Sequence, residues 1–323
     1  MSYTRWSLLA LILVAIAVLA ITVGTLHLSV AEVFDAMRGR GTIAHVAIVR
    51  QLRAPRVVLG ALVGAGLGAS GAALQGATRN GLAEPYLLGV SGGAAVGAVL
   101  AVALHLPAVM VPVAGFGGAL LAVVLTLVVA RAAGARADAR VVLMAGVVVG
   151  AFANAAIMVA LANVDASVVR GALWWMMGSV ADATWTQVAT LAPYAALGIG
   201  ALVVAGPAID VLALGEDTAA GMGVDVARTS IAVYVAAAVL AAGTVAAAGL
   251  VGFVGLLVPH VVRMAGARSH RTIIGAAALA GAALVVGADL AARVALPPGE
   301  LPLGAVTAII GVPFFLAQLR RLA

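Results

Sequence analysis

The sequence contains no cysteine and no lysine, so all 18 basic residues are arginine. Without cysteine, the chain forms no disulfide bond, no iron–sulfur cluster and no catalytic thiol. Without lysine, it cannot complete the GxxxxGK[ST] loop that holds nucleotide phosphates, and it cannot form a lysine Schiff base. If ATP hydrolysis powers this protein, the hydrolysis must therefore take place on another subunit.

Charge is also scarce, because charged residues make up 9% and hydrophobic residues 64% of the 323 positions. A soluble domain of ordinary composition carries about 25% charged residues. This composition excludes a water-soluble domain and indicates an integral membrane protein. The arginines do not indicate nucleic-acid binding, because they are scattered between apolar runs, as membrane topology requires.

Ten apolar runs predict an all-α polytopic membrane protein with about ten transmembrane helices, which we treat as a single domain over residues 1–323. The first run is longer than the apolar core of a signal peptide, so we interpret it as a retained helix. Pro259 interrupts one short run and favours a half-length or broken helix there. The runs cover approximately residues 6–26, 57–77, 86–104, 109–130, 141–162, 188–206, 229–249, 253–266, 272–292 and 303–319.

The run at 57–77 is the predicted hub of the bundle. Gly60, Gly64 and Gly68 repeat every four residues, which places small residues on one helical face. Such a face lets a neighbouring helix approach closely, so we expect protein rather than lipid around this helix. A GxGxxG pattern also falls inside this run. It does not indicate dinucleotide binding, because that fingerprint has meaning only between a strand and a helix.

The arginine distribution predicts the orientation in the membrane. An even number of spans places both termini on one side, and a cytoplasmic N-terminus puts eleven arginines inside and seven outside. That bias agrees with the positive-inside rule. The outer set is either ordinary loop charge or a docking site for an acidic partner. It consists of Arg38, Arg40, Arg50, Arg53, Arg56, Arg170 and Arg293.

Two polar segments separate the apolar runs. Segment 163–187 holds three of the four tryptophans and is predicted to be a periplasmic interfacial segment, because tryptophan favours the membrane–water boundary. Segment 207–228 is predicted to be a cytoplasmic loop with two short helices hinged at Gly215. It is either a solvated surface loop or an element that presses on a cytoplasmic partner. Its acidic residues are Asp210, Glu216, Asp217 and Asp225.

Five blocks of the sequence resemble, in order, the motifs of the FecCD family. Its members are the permease subunits of type II ABC importers for iron–siderophores, haem and cobalamin. Together the blocks cover nearly all of the chain. They are RAPRVVLGALVGAGLGASGAALQGATRNGLAEPYLLGVSGGAAVGA (53–98), WWMMGSVADATW (174–185), LALGEDTAAGMGV (212–224), GLVGFVGLLVPHVVRMAGARSHR (249–271) and ADLAARVALPPGELPLGAVTAIIGVPFF (288–315).

The resemblance implies a cobalamin-permease-like homodimer in the bacterial inner membrane, with both termini cytoplasmic and a substrate path along the dimer axis. The implied partners are two cytoplasmic ABC ATPase subunits and a periplasmic or lipid-anchored substrate-binding protein, and no nucleic acid. ATP and magnesium would bind to the ATPase subunits, so this chain would hold no cofactor and no metal. The implied substrate is an iron chelate, a siderophore or haem, with cobalamin as the alternative.

The resemblance also implies roles for particular residues, none of them catalytic. Binding-protein docking falls on Arg53, Arg56 and Arg293, and Asp289, four residues before Arg293, is placed to hold it. The cytoplasmic gate falls on Asn80, Gly81 and Leu82, where glycine replaces the proline of the family pattern and frees the backbone. Asn154 and Met158 are expected to line the path. ATPase coupling falls on Leu214, Gly215, Glu216, Asp217, Gly221 and Gly223.

An ion-coupled secondary transporter is the alternative of another class, since such proteins are also polytopic and contain broken helices. It would need an acid or base within the membrane to bind the coupling ion. The carboxylates of this sequence fall near the ends of the apolar runs or in loops. An intramembrane enzyme is a further alternative, but no nucleophile and base can be placed at matching depth. The sequence therefore favours an importer permease without its own ATPase site.

Overall fold

A computed structural model describes residues 1–24, 26–134, 138–296 and 299–319. The regular elements of these residues are all helical. A π-helical stretch (Ile48–Arg53) joins α3 to α4, and a 3₁₀ turn (Pro85–Leu88) precedes α5. The α-helices are α1 (Tyr3–Thr22), α2 (Val30–Met37), α3 (Ile43–Ala47), α4 (Ala54–Ala77), α5 (Val90–Ala103), α6 (Met110–Ala132), α7 (Ala139–Leu161), α8 (Ala166–Met176), α9 (Trp185–Leu212), α10 (Glu216–Gly221), α11 (Val226–Ala248), α12 (Val254–Met264), α13 (His270–Val294) and α14 (Leu303–Leu319).

Ten of these helices coincide with the ten predicted spans. Seven of them, α1, α4, α6, α7, α9, α11 and α13, are long and apolar enough to cross a membrane. The other three, α5, α12 and α14, are apolar but shorter, with 10–17 described residues each. The prediction of an all-α polytopic protein is confirmed, including the short helix that contains Pro259.

Helix α4 lies at the centre of the bundle, as its small residues predict. In its most apolar window 78% of the residues are buried, whereas the corresponding value for α1 is 6%. Helices α13, α11, α9 and α12 surround α4. A helix enclosed in this way contacts other helices instead of lipid, and small side chains allow those helices to approach closely.

Backbone atoms take part directly in the contact between α4 and its neighbours. A Cβ atom added at Gly64 would overlap the carbonyl oxygen of Gly281 on α13, and one added at Gly68 would overlap that of Ala277. A Cβ atom at Gly71 would overlap the carbonyl oxygen of Gly255 on α12. Gly64 and Gly68 of the four-residue repeat therefore face the backbone of α13, and a side chain at either position would force the two helices apart, whereas Gly60 faces valine side chains at ordinary contact distance.

Helix α9 is longer than predicted and takes in parts of both polar segments. It begins at Trp185 and ends at Leu212, so only residues 213–225 connect it to α11, in place of the predicted loop over 207–228. Pro207 does not end the helix. Membrane helices tolerate interior proline because neighbouring helices and local adjustments satisfy the freed backbone groups. The connection contains one short helix, α10, rather than two, and Gly215 directly precedes it with a φ of +117°.

Two polar contacts between sequence-distant elements mark the two ends of the bundle. At one end, the indole nitrogen of Trp185, where α9 begins, donates to the backbone oxygen of Arg50, 2.7 Å away. At the other end, where α9 finishes and α13 begins, Nδ1 of His270 lies 2.6 Å from Oδ1 of Asp210. We call these the Arg56 end and the Asn80 end, after residues that lie in them.

Candidate functional sites at the two ends of the bundle

Arg53 lies at the Arg56 end, in the last turn of the π-helical stretch, and is buried. Its guanidinium donates to the backbone oxygens of Ile21 at 2.7 Å and Thr22 at 3.1 Å, and also to that of Leu26. These carbonyls belong to the last turn of α1 and the segment after it, where the helix itself offers them no partner. Arg53 thus fastens the end of α1 to the beginning of α4.

Arg56 is buried one turn further on and binds two carboxylates of its own chain. Its Nε and Nη2 atoms donate to Asp289 on α13, with distances of 3.0 and 2.8 Å. Its Nη1 and Nη2 atoms donate to Glu300, in the connection between α13 and α14, with distances of 3.0 and 2.8 Å. Charge-assisted pairs with two parallel bonds fix orientation as well as adding attraction.

Arg293 completes this cluster. Its Nε atom lies 3.4 Å from Oδ2 of Asp289, which confirms the predicted pairing across one helical turn. Its Nη2 atom donates to the backbone oxygen of Ala20 at 2.9 Å. The structure therefore brings the three predicted docking arginines together at one end and gives all of them bonds within the chain. Docking itself stays a prediction.

No local pattern predicts the role of Glu300, because it lies 244 positions from Arg56. Hydrogen bonds from the Arg56 guanidinium hold the pKa of the Glu300 carboxyl below its usual value. Glu300 also lines a cavity of about 650 Å³ together with Trp174, Trp175 and Asp182. The predicted interfacial segment 163–187 thus contributes the aromatic wall of this cavity, from α8 and the turn that follows it.

The predicted gate residues form a compact turn after α4. The side-chain oxygen of Asn80 accepts a hydrogen bond from the backbone nitrogen of Leu82 at 2.9 Å, an arrangement typical of asparagine turns. Gly81 lies against α12, since a Cβ atom added to it would be 3.3 Å from Nε2 of His260. Gly81 and Leu82 are exposed. This turn is therefore short, locally bonded and accessible from the Asn80 end.

Glu84 follows the gate turn and has an altered acidity. Burial raises the pKa of its carboxyl to about 7 from an ordinary value of 4.5. Burial disfavours the charged form of any group, because the protein interior solvates charge less well than water. Glu84 consequently changes charge near neutral pH, next to the predicted gate.

The predicted coupling residues surround α10. Leu214, Glu216, Asp217 and Gly221 are exposed, and Gly223 ends the segment with a φ of +82°. An Nη2 atom of Arg79 donates to Oε1 of Glu216 at 2.8 Å. Because Arg79 directly precedes Asn80, this ion pair joins the predicted gate turn to the predicted coupling helix. Both residues line a cavity of about 610 Å³ that also contains Asp138 and Arg140.

The two residues expected to line the path lie on an exposed face of α7. Asn154 and Met158 are one helical turn apart and both are exposed, Met158 by 74%. Val147 and Ala151, seven and three residues before Asn154 on the same side of the helix, are also exposed. A polar side chain in the middle of a membrane-spanning helix rarely faces lipid. The position of Asn154 thus indicates a face covered by protein or lining a polar space.

Among the described residues, no group of three or more histidine, aspartate and glutamate side chains is placed to hold a metal ion. Three of the arginines on which the orientation was based, Arg136, Arg320 and Arg321, lie outside the described residues.

The described residues contain seven long apolar helices, one of which is the glycine-lined central helix α4, with an arginine–carboxylate cluster at one end of the bundle and an ion pair at the other. These features define a multi-pass helical membrane protein. The sequence matches the model of the FecCD transport family over residues 11–321. The chain belongs to this family, whose members are the permease subunits of ABC transporters. The resemblance inferred from the five sequence blocks is confirmed.

Individual relatives agree with this assignment. The chain is 38% identical over 323 residues to the vitamin B12 import system permease protein of Vibrio cholerae, covering 98% of this chain and 95% of that protein. It is 33% identical over 315 residues to the Fe(3+)-citrate import system permease protein of Bacillus subtilis, covering 97% and 93%. A solved structure described as an inward-facing metal-chelate type ABC transporter superposes with a TM-score of 0.87, 27% identity and 97% coverage of both chains.

Proposed function

We propose that this chain is the permease subunit of an ATP-driven importer that carries an iron chelate, a siderophore or haem, across the bacterial inner membrane. The observation that carries the proposal is the family match over almost the whole chain. Relatives named for Fe(3+)-citrate and for vitamin B12 are similar to it over nearly their full lengths. Cobalamin is therefore the second candidate. Both candidates are large organic metal chelates.

The exposed face of α7 supports a substrate of this kind. It presents Val147 and Met158 together with the uncharged amide of Asn154. Such a surface suits a large amphipathic molecule that passes without tight coordination. In a homodimer with the path along its axis, two copies of this face would line the path.

The proposed orientation places the Arg56 end outside and the Asn80 end in the cytoplasm. A substrate-binding protein would dock at the Arg56 end, and two ATPase subunits carrying ATP and magnesium would bind at α10. Closure of the ATPase subunits would move α10, and the ion pair between Glu216 and Arg79 would transmit that movement to the gate turn. The chain itself would hydrolyse no ATP, since it has no lysine for a phosphate-binding loop.

The buried carboxylate of Asp289 argues against the ion-coupled alternative. A coupling acid must gain and lose a proton or sodium ion within the membrane. Asp289 instead faces two arginines, Arg56 and Arg293. Its oxygens are already engaged by these two guanidinium groups, so Asp289 does not offer a free site for a coupling ion.

The substrate is tested with the cognate substrate-binding protein. That protein is titrated with haem, a panel of ferric siderophores and cobalamin, and the tightest ligand is then tested for uptake into vesicles that contain the permease and its ATPase subunits. We expect a ferric siderophore or haem to bind to that protein. The same ligand should be transported when ATP is supplied on the side of the membrane where the ATPase subunits lie. Tight binding and uptake of cobalamin alone would make cobalamin the substrate.

A further inference from the structure

The guanidinium group of Arg56 has no free edge. A guanidinium presents two edges on which two parallel N–H bonds can meet a carboxylate. Asp289 occupies the edge formed by Nε and Nη2, at 3.0 and 2.8 Å. Glu300 occupies the edge formed by Nη1 and Nη2, at 3.0 and 2.8 Å. A third carboxylate can bind Arg56 in the same two-bonded manner only if one of these two leaves.

The two carboxylates differ in how easily they can leave. The side chain of Asp289 is 4% exposed, belongs to α13 and also faces Arg293. The side chain of Glu300 is 42% exposed and belongs to the connection between α13 and α14. Ion pairs of solvent-exposed groups contribute little to stability, whereas breaking a buried pair leaves an uncompensated charge in the interior. Glu300 is therefore the carboxylate that can be exchanged.

We infer that Glu300 is a displaceable cover on Arg56, and that an acidic side chain of the docked binding protein replaces it on the outer edge of the guanidinium. This inference rests on the proposed function and adds a step to docking. The cluster of Arg56, Arg293, Asp289 and Glu300 contains two positive and two negative groups. When Glu300 withdraws, one positive charge is left uncompensated, and a carboxylate from the partner restores the balance.

The exchange also connects docking to the helix that follows. Glu300 lies three residues before Leu303, the first residue of α14. The backbone nitrogens of Leu303 and Gly304 donate to the oxygens of Gly178 and Met177, at 3.2 and 3.0 Å, so the start of α14 is held on the turn after α8. Release of Glu300 removes the ionic tether just before this point. Docking thereby changes the contacts of the residues that lead into α14 and of the cavity that Glu300 lines.

The test uses the substrate-binding protein that supports uptake. It measures the affinity of that protein for the complete transporter in lipid nanodiscs. Four forms are compared: the native permease, Glu300→Gln, Arg56→Gln and the double variant. A neutral glutamine competes less than glutamate for Arg56. The Glu300→Gln permease is therefore expected to bind the substrate-binding protein about fivefold more tightly than the native permease does. In the Arg56→Gln background the same substitution is expected to change nothing, because the guanidinium for which the carboxylates compete is gone. Glu32→Gln is the control, since Glu32 is an exposed carboxylate that bonds Ser29 and, in the described part of the chain, no arginine.

Two results overturn the inference. One is unchanged or weaker binding by Glu300→Gln, which would make Glu300 a structural or attractive group. The other is an equal gain in the presence and absence of Arg56, or an equal gain with Glu32→Gln, which would reflect only the loss of a negative surface charge. Failure of the proposed function is recognised separately, because the native transporter would then form no complex with any binding protein and would show no ATP-dependent uptake.

Discussion

Arg79 and Glu216 form an ion pair at 2.8 Å between two segments that are 137 positions apart. Arg79 stands at the end of α4, in a left-handed conformation with a φ of +52°, and Glu216 begins α10. The pair is therefore a polar link between the turn of Asn80 and the helix predicted to meet the ATPase subunits. Both side chains remain partly exposed, so the link can break and reform.

Reversing one charge of this pair is expected to weaken transport. Arg79→Glu or Glu216→Arg places like charges together and should lower ATP-dependent uptake about threefold to tenfold, because α10 then no longer moves the gate turn. The double reversal restores the attraction and should recover much of the uptake. The measurement is substrate uptake by vesicles, with the ATPase rate recorded in parallel.

The control for this swap is Asp217, the acidic neighbour of Glu216. Combining Arg79→Glu with Asp217→Arg also exchanges the charges, but Asp217 does not bond Arg79 in the structure, so no recovery is expected. Recovery with Asp217→Arg equal to that with Glu216→Arg would show a general charge effect. No recovery with either would mean that the pair does not transmit movement.

Close packing between α4 and α13 makes a second prediction. Gly64→Ala would push a methyl group into the carbonyl oxygen of Gly281, and overpacking of this kind costs about 1–3 kcal/mol. Gly117→Ala is the matched control on α6, because nothing lies within 4 Å of a Cβ atom there. Thermal unfolding in detergent should show a lower Tm for Gly64→Ala and an unchanged or higher Tm for Gly117→Ala. Equal Tm values for the two variants would contradict the packing.

The exposed face of α7 gives a third prediction. Met158→Trp adds bulk where the path is proposed, so uptake should fall to background while the protein still assembles. Val204→Trp on α9 is the control, since Val204 is 78% exposed on a face that we expect to meet lipid. Both variants are compared by uptake and by recovery of the assembled complex. Normal uptake by Met158→Trp would remove α7 from the path.

The raised pKa of Glu84 gives a prediction on pH. The folded chain binds the Glu84 proton up to about pH 7, whereas the unfolded chain releases it near pH 4.5. The folded state thus holds more protons between these values, and this carboxyl lowers stability progressively as the pH rises through that window. Glu84→Gln should therefore match the native Tm near pH 4.5 and exceed it by an amount that grows up to about pH 7.

Asp165→Asn serves as the control for this pH series, because Asp165 is an exposed carboxylate next to α8. It should leave the pH dependence of the Tm unchanged. A difference between Glu84→Gln and the native chain that is the same at pH 5 and at pH 8 would contradict the assigned acidity of Glu84.

Local patterns in the sequence were sufficient to predict the ten apolar helices and the hub. The four-residue repeat of Gly60, Gly64 and Gly68 reports helix contact directly, because only small residues allow backbones to touch. The position of Asp289 one turn before Arg293 similarly predicted their contact. These features depend on the spacing of residues that are only a few positions apart, and such spacing can be seen directly in the sequence.

Features that depend on distant parts of the chain could not be predicted in this way. No spacing connects Arg56 with Glu300 or Arg79 with Glu216, since only the folding of the bundle brings them together. The predicted cytoplasmic loop begins at residue 207, whereas α9 continues through Pro207 to Leu212. The backbone groups freed by a proline can be satisfied in a helix packed among others, and a single sequence does not show that packing.

The most direct test of the account asks what powers uptake. Vesicles containing this chain alone, or this chain with its ATPase subunits and binding protein, are supplied either with ATP or with a proton or sodium gradient. The account predicts that the chain alone hydrolyses no ATP and that the complete assembly accumulates the chelate only with ATP. Uptake driven by an ion gradient without ATP, or ATP hydrolysis by the purified chain, would contradict it.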